Sequence, residues 1–544
     1  MRAFLQNCAE NYLQYLIASN QGYEILKIQT IHRDIFGFHL QLEAKLKSLE
    51  SLILRSELGD FILQEDAEIS ILAYDEKTNA LYLKIESELC DSLWLQKDSI
   101  KLISDLRFLV QNVIDFYTQE ISLKLPTTSP DITPNFDILK DLPTQPNKEQ
   151  LDALEGIFTH SFCYIWGVAG SGKTKVVLLH TLAFYLQSQQ KVAILAPTNH
   201  ALEQCLSTLI VHLKAIGVAT KGILRLGTAT QKFMENFPEN CEQSIKHHNL
   251  NQNLMQSKIL AMTLDTFLRR KDLQTMRFKH FFIDEAAFTP LIKVLPLCAF
   301  NQPITLLGDH KQLPPISMLS IKDSKNPLWQ PSVFWKYSSL FLEAFFCAQE
   351  SFKTPQKMPF ISHCFTLTQT YRYGENLAKL LDTHIYNNHL KGHNTQTHLY
   401  YLDTKEASNN KTSPQRTNIT EATLCCNLAK DFIAKNLNFA ILTPFVNQKQ
   451  LILKTMPILF NEECVFTIHS AQGQEFDYVI FSPVTLHYHL NDSRNLNALF
   501  TLNVALSRPK KAMIIVCNRD YWLNLKGQFL SELIHIARPY TPNF

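Results

Sequence analysis

The chain has 544 residues, 46% of them hydrophobic and 19% charged, an ordinary globular composition with room for several domain-sized units. Its 52 Lys and Arg against 50 Asp and Glu leave a formal charge of +2, which excludes a globally basic nucleic-acid coat but not a local basic groove. The 12 cysteines include no CxxC pair, and no apolar stretch reaches the length of a membrane span, so free thiols, no membrane partner and a cytoplasmic location are expected.

In chain order, residues 1–125 form an accessory region. Glu68-Ile-Ser-Ile-Leu-Ala-Tyr and Ala80-Leu-Tyr-Leu-Lys-Ile-Glu flank a polar turn and predict a β-hairpin. Leu106–Thr118 carries apolar residues at helical spacing, and residues 40–55 also read as helix. Residues 126–142, with Pro126, Pro130 and Pro134, predict a linker, and Pro143 and Pro146 follow closely. Short apolar strands then alternate with helices: Ser161–Trp166, Lys191–Ala196, His280–Ile283, Ile304–Leu307, Ala440–Leu442 and Tyr478–Ser482. Such alternation predicts an α/β fold with parallel sheets, divided here into 143–330 and 331–544. Ligands of such sheets bind at the carboxyl ends of the strands.

Gly167-Val168-Ala169-Gly170-Ser171-Gly172-Lys173-Thr174 fits the phosphate-loop pattern G-x-x-x-x-G-K-[ST], after a strand and before a helix. Glycines let backbone N–H groups wrap phosphates, and the following helix adds partial positive charge. Only 15 glycines occur in the chain, yet three fall in this octapeptide. Lys173 is expected to reach the β- and γ-phosphates of a nucleoside triphosphate and Thr174 to ligate Mg²⁺. Phe281-Phe-Ile-Asp-Glu delivers two carboxylates, Asp284 for the metal and Glu285 as general base for the attacking water. Arg372 and Arg508, far downstream, are candidates for the positive charge that a loose phosphoryl transition state needs.

These strings, with several others, resemble superfamily 1 helicases of the B-type group around the nonsense-mediated-decay helicase. The resemblance runs in order from Leu142 to Asn518: LPTQPNKEQ, LAPTNHALEQ, AMTLDT, IDEAA, GDHKQLPP, TYRYG, ILTPFVNQ, TIHSAQGQEFD and NVALSRPKK. It implies two tandem RecA-like domains and an accessory region built as a small β-barrel with stalk helices. It implies Gln150 as adenine reader, Tyr371 stacking on adenine, and Gly473 and Glu475 near phosphates and ribose. Gln312 would sense the γ-phosphate, Asp309 would support the metal and water shell, and Arg372 and Arg508 would contact the γ-phosphate. Pro197, Thr198, Asn199, Thr263, Thr443 and Pro444 would lie along a single-strand backbone, a contact that carries no sequence information.

The stretch between Tyr386 and Ala440 is filled by one predicted strand and one helix, leaving no room for the large second-half insertion of A-type helicases. The resemblance therefore implies 5′→3′ movement on single-stranded nucleic acid, with DNA favoured over RNA, and a protein loading factor as a further partner. The alternatives are a nucleic-acid-stimulated ATPase that strips complexes, or a nucleotide-gated clamp. Ser507 and Pro509 stand where the family often has threonine and alanine.

Overall fold

The computed structural model describes every residue except 45, 47–48, 50–51, 64–66, 76–77, 131–144, 246, 349–360, 394, 405–414, 456–463 and 542–544. Most of the expected linker, Pro134 included, therefore lies outside the described residues, as does Pro143. The chain divides into two compact units. Unit 1 holds Met1–Ile165, Lys173–Gly308 and Pro314–Phe365; unit 2 holds Trp166–Gly172, Asp309–Leu313 and Thr366–Phe544.

The main sheet of unit 1 runs in the order Ile223–Arg225, Ile259–Thr263, Val192–Ala196, Phe281–Ile283, Ile304–Gly308, Phe162–Gly167, Cys364–Leu367. The first five strands pair in parallel, with registers such as Ile194 opposite Ala261 and Ile283 opposite Leu306. All residues of Val192–Ala196, Ile259–Thr263 and Phe281–Ile283 are buried. Continuous apolar runs of this kind belong to strands covered on both faces, which is why no polar alternation marks them. The carboxyl ends of neighbouring strands thus deliver Thr263, Pro197, Asp284 and Asp309 in spatial order.

The accessory region contains two four-stranded sheets. One is Tyr23–Leu26, Lys101–Asp105, Leu52–Ser56, Gly59–Ile62; the other is Ile28–Arg33, Gly37–Leu42, Ala80–Ile85, Ile69–Asp75, and both are antiparallel. Phe38, Leu40, Leu52, Leu54, Leu83 and Leu102 share one core between them. The described pairings stay within each sheet. The predicted hairpin is present, with Asp75 opposite Ala80. The helix expected over 40–55 is not: Gly37–Leu42 and Leu52–Ser56 are strands. Leu, Lys and Glu favour helix there, but Leu40, Leu42, Leu52 and Leu54 point into the shared core at a spacing of two, and that burial overrides local propensity.

The helix Arg107–Thr118 matches its periodicity and packs along an N-terminal helix, Arg2–Ala18, that the sequence reading did not identify. Both are fastened to the α/β part of unit 1. The Tyr12 ring stacks on Trp335 with centroids 4.6 Å apart, and the Tyr117 hydroxyl donates to Ile292 O at 2.7 Å. Farther on, Ser338 and Ser339 donate to Ala286 O, and Cys364–Leu367 joins the main sheet. Such contacts explain why residues 1–125 and 331–365 group with unit 1, where the sequence suggested boundaries at 142 and 330.

Unit 2 is built on a six-stranded sheet, Val465–Thr467, Phe439–Thr443, Phe476–Phe481, Pro509–Cys517, His398–Asp403, Arg538–Pro539, with every neighbouring pair parallel. Helix Ile419–Ala434 lays Ala422, Cys425, Leu428 and Phe432 over Ile441, Ile480 and Ile514. The cysteines are free, most of them buried, and among the described residues no helix is long and apolar enough to cross a membrane.

Candidate nucleotide and nucleic-acid site

In unit 1, the strand Phe281–Ile283 ends at Asp284, whose N–H donates to Leu195 O at 2.9 Å. Glu285 then turns into left-handed backbone, φ +53°, an uncommon conformation for a residue with a β-carbon. Its N–H donates to Asp284 Oδ1 at 3.0 Å, while Thr289 Oγ1 donates to its carbonyl at 3.0 Å. Strain of this kind is held at functional sites by surrounding bonds, and here the two serine hydroxyls on Ala286 O share that task. Gly308, at the end of the neighbouring strand, packs close to this turn: a Cβ would stand 3.1 Å from Ala286 N, tighter than an ordinary contact.

Burial pushes the Asp284 carboxyl up from its ordinary value, and the Glu285 charge adds to this. Lys173 and a hydrogen bond from the Cys205 thiol pull it back. A buried carboxylate in need of positive charge therefore lies within the field of Lys173, the residue expected on the phosphates. Thr174 follows it, half-buried. Gln150 caps its own helix. Asn147 N–H donates to Gln150 Oε1 and Gln150 N–H to Asn147 Oδ1, both at 2.9 Å, a reciprocal capping box.

In unit 2, the loop from Gly167 to Gly172 has φ +82° at Gly170 and +89° at Gly172. A Cβ on Gly170 would fall 2.5 Å from Arg372 Cβ, so only glycine lets this loop approach the strand Gln369–Gly374. Thr370 Oγ1 donates to Ala169 O at 2.8 Å, and Tyr371 N–H donates to Gly170 O at 2.9 Å. Tyr371 is about half exposed beside the loop. Arg372 bonds Glu475 Oε2 at 3.2 Å and Ser507 O at 3.1 Å, and Lys510 Nζ lies 2.7 Å from Glu475 Oε1. Arg508 is buried, with its guanidinium on Val504 O, Gln474 O and Ser507 Oγ. It thereby ties the loop carrying Gly473 and Glu475 to the end of helix Leu496–Leu506.

The cluster Asp309-His-Lys-Gln312 turns inward. Asp309 accepts from Trp166 Nε1 at 3.1 Å, Lys311 N at 3.0 Å, Gln312 Nε2 at 3.1 Å and the Tyr386 hydroxyl at 2.7 Å. Asn503 Nδ2 donates to Tyr386 Oη at 2.7 Å and to Lys311 O at 2.8 Å. These four hydrogen bonds, two on each oxygen, make Asp309 the organiser of this loop. Trp166, Tyr386 and Asn503 escaped the sequence reading. The one available signal was Trp166 at the end of a buried strand, since an indole N–H there needs an acceptor.

The expected strand-contacting positions split in exposure. Thr198 is exposed and caps helix Asn199–Ala215 by accepting from Ala201 N, and Pro197 is half-buried. Asn199 Oδ1 accepts from the buried Arg225 at 2.6 Å, another residue the reading missed. Thr263 is buried and caps the next helix through Thr266 N, and Thr443 and Pro444 are buried as well.

Two family models, each described as an AAA domain, match residues 150–318 and 348–520. "Regulator of nonsense transcripts 1" of Dictyostelium discoideum is 25% identical over 462 residues, covering 73% of this chain and 32% of that protein. "DNA replication ATP-dependent helicase/nuclease JHS1" of Arabidopsis thaliana is 25% identical over 394 residues, covering 68% of this chain and 28% of that protein. The chain spans about a third of the length of these relatives. Among solved structures, that of Arterivirus nonstructural protein 10 (helicase) is 11% identical with a TM-score of 0.39, covering 91% of this chain and 76% of that one. With parallel α/β sheets in both units and the helicase strings in order, the chain belongs to the superfamily 1 helicase-like proteins of the nonsense-mediated-decay type.

Proposed function

We propose that the chain is an ATP-dependent helicase or translocase that moves 5′→3′ along single-stranded nucleic acid, DNA in preference to RNA. The observation that carries this reading is the delivery of Asp284 and Glu285 to the carboxyl end of a buried parallel strand, with Lys173 close enough to shift Asp284. That is where an open α/β sheet binds its ligand.

Thr174 and Asp284 would hold Mg²⁺. Their oxygen donors fit it, and among the described residues no group of three or more His, Cys, Asp or Glu forms a cage. Mg²⁺ suits such a site because it binds through one or two protein oxygens and the substrate phosphates, neutralising charge on them. Lys173 binds the β- and γ-phosphates beside the Gly167–Gly172 loop. Glu285, fixed in its turn, takes the proton of the attacking water. Tyr371 offers its exposed ring to adenine, and Gln150, whose carbonyl oxygen caps its helix, presents its amide nitrogen to the base. Arg372 supplies charge to the γ-phosphate. Gln312 senses that phosphate on leaving Asp309, and Arg508 reaches it only by giving up its bonds to Val504 and Gln474. Gly473 and Glu475 lie toward phosphates and ribose. Along the strand, Thr198 offers a hydroxyl, while Pro197, Asn199, Thr263, Thr443 and Pro444 contribute chiefly main chain. A loading protein completes the assembly.

The test is ATP hydrolysis with and without single-stranded DNA or RNA, then displacement from 5′- and 3′-tailed duplexes. Stimulation by a single strand, and displacement from 5′ tails, are expected. A rate that no nucleic acid changes would overturn the motor reading, and displacement from 3′ tails alone would overturn the polarity.

A further inference from the structure

Just past the strand Phe476–Phe481 the chain reads Ser482-Pro-Val-Thr-Leu-His-Tyr-His-Leu490, a segment to which the nucleotide chemistry gives no task. It is firmly built. Val484 sits at φ +59°, a genuine outlier for a β-branched residue. Its N–H donates to Glu421 Oε2 at 3.1 Å, and Ser482 Oγ donates to the same oxygen at 2.7 Å. Glu421 is buried, and so is Asn491, which accepts from His487 N at 2.7 Å and donates to Thr485 O at 2.9 Å. The Tyr521 hydroxyl accepts from Leu486 N at 3.1 Å and bonds Thr485 Oγ1 at 3.0 Å.

What this frame presents is aromatic. Tyr488 is 58% exposed and His489 is exposed, with ring centroids 4.9 Å apart. His487 lies 5.9 Å from His489 and edge-on to Phe445 at 6.0 Å. Phe445, itself buried, directly follows Thr443 and Pro444, two of the expected strand contacts. Two exposed guanidiniums flank them. Arg494 follows in the same loop, its guanidinium exposed but anchored on Asp492 Oδ2 at 2.5 Å, and the Arg416 charge is felt at His487. Exposed rings beside guanidiniums match alternating bases and phosphates, and a base offers a flat face whatever its identity.

We propose that the Tyr488 ring, with His489 edge to face against it, forms a base-stacking platform for the single strand, rigidified through Val484, Glu421 and Asn491. The proposal rests on the nucleic-acid reading above and adds that this chain grips bases as well as backbone.

The test uses the full chain with dye-labelled oligothymidylate, oligouridylate and an abasic strand of equal length. Tyr488→Ala should weaken binding of both base-bearing strands about 5- to 150-fold and abasic binding less than about twofold, while Tyr488→Phe binds like the parent. An unchanged melting midpoint is expected, since the side chain is exposed. Parent-like binding by Tyr488→Ala, or equal loss on all strands, would overturn the platform. A parent chain that binds none of the strands would overturn the nucleic-acid reading itself, and the platform with it.

Discussion

Asp309 shows how much one buried carboxylate decides. Its four hydrogen bonds come from an indole, a phenol, an amide side chain and a main-chain N–H, so the loop geometry depends on both oxygens being acceptors. Asp309→Asn replaces one acceptor by a donor that faces Gln312 Nε2 and the Tyr386 hydroxyl in one amide orientation, and Trp166 Nε1 and Lys311 N–H in the other. A buried group left unsatisfied costs about 1–3 kcal/mol, and urea unfolding should show a loss of that size. Tyr386→Phe removes the phenol but leaves Asn503 its bond to Lys311 O and Asp309 Oδ2 its bond from Gln312, so a smaller loss of about 1 kcal/mol is expected. If the two variants unfold alike, the carboxylate is not the hub. Glu285 is the opposite case, a residue whose backbone is strained and whose value is chemical. Glu285→Gln keeps shape and hydrogen bonding yet cannot accept the water's proton. Hydrolysis should fall by about 10²–10⁴-fold while a fluorescent ATP analogue still binds, and an unimpaired rate would remove Glu285 from its role.

At the level of elements, glycine placement governs the phosphate loop. Gly170→Ala would force a β-carbon into Arg372 and hold alanine at φ +82°, so nucleotide binding and the melting midpoint should both fall. Thr198→Ala, by contrast, removes an exposed helix cap at a cost of about 1 kcal/mol and leaves the loop intact. The two variants separate loop geometry from helix stability in one pair of thermal melts with and without ATP. Elements whose chemistry is local could be read in advance. The phosphate loop announces itself by glycines, and the strands that end in Thr263, Asp284 and Asp309 are unbroken apolar runs. The strand Leu52–Ser56 could not be read, because its partners Lys101–Asp105 and Gly59–Ile62 decide its state and its own residues favour helix. The Asp309 network was hidden for a related reason: Trp166, Tyr386 and Asn503 meet only through the fold, and no spacing links them. Gln150 was read as a base reader, although Asn147-x-x-Gln150 is equally a capping box, and the structure shows the cap formed.

For the whole molecule, unit 2 carries a titrating reserve of stability. Glu421 lies under the strand ends of that unit, with one oxygen accepting from Ser482 and Val484 and the other without a hydrogen-bond partner. Burial pushes its carboxyl up from 4.5 to about 8. In the unfolded chain the same group ionises near its ordinary value, so between the two values the folded state binds a proton that the unfolded state has lost. By linkage, the stability due to this group is fully present below the ordinary value and declines as pH rises toward 8. Glu421→Gln removes the titration while keeping an oxygen for Ser482 and Val484. Urea midpoints for the unit 2 transition should therefore fall between pH 5.5 and pH 8.5 in the parent chain, and fall less in the variant. The difference between the slopes isolates Glu421 from the other titrating groups. Equal slopes would mean that the carboxyl is ionised in the folded protein, with a counter-charge supplied from elsewhere.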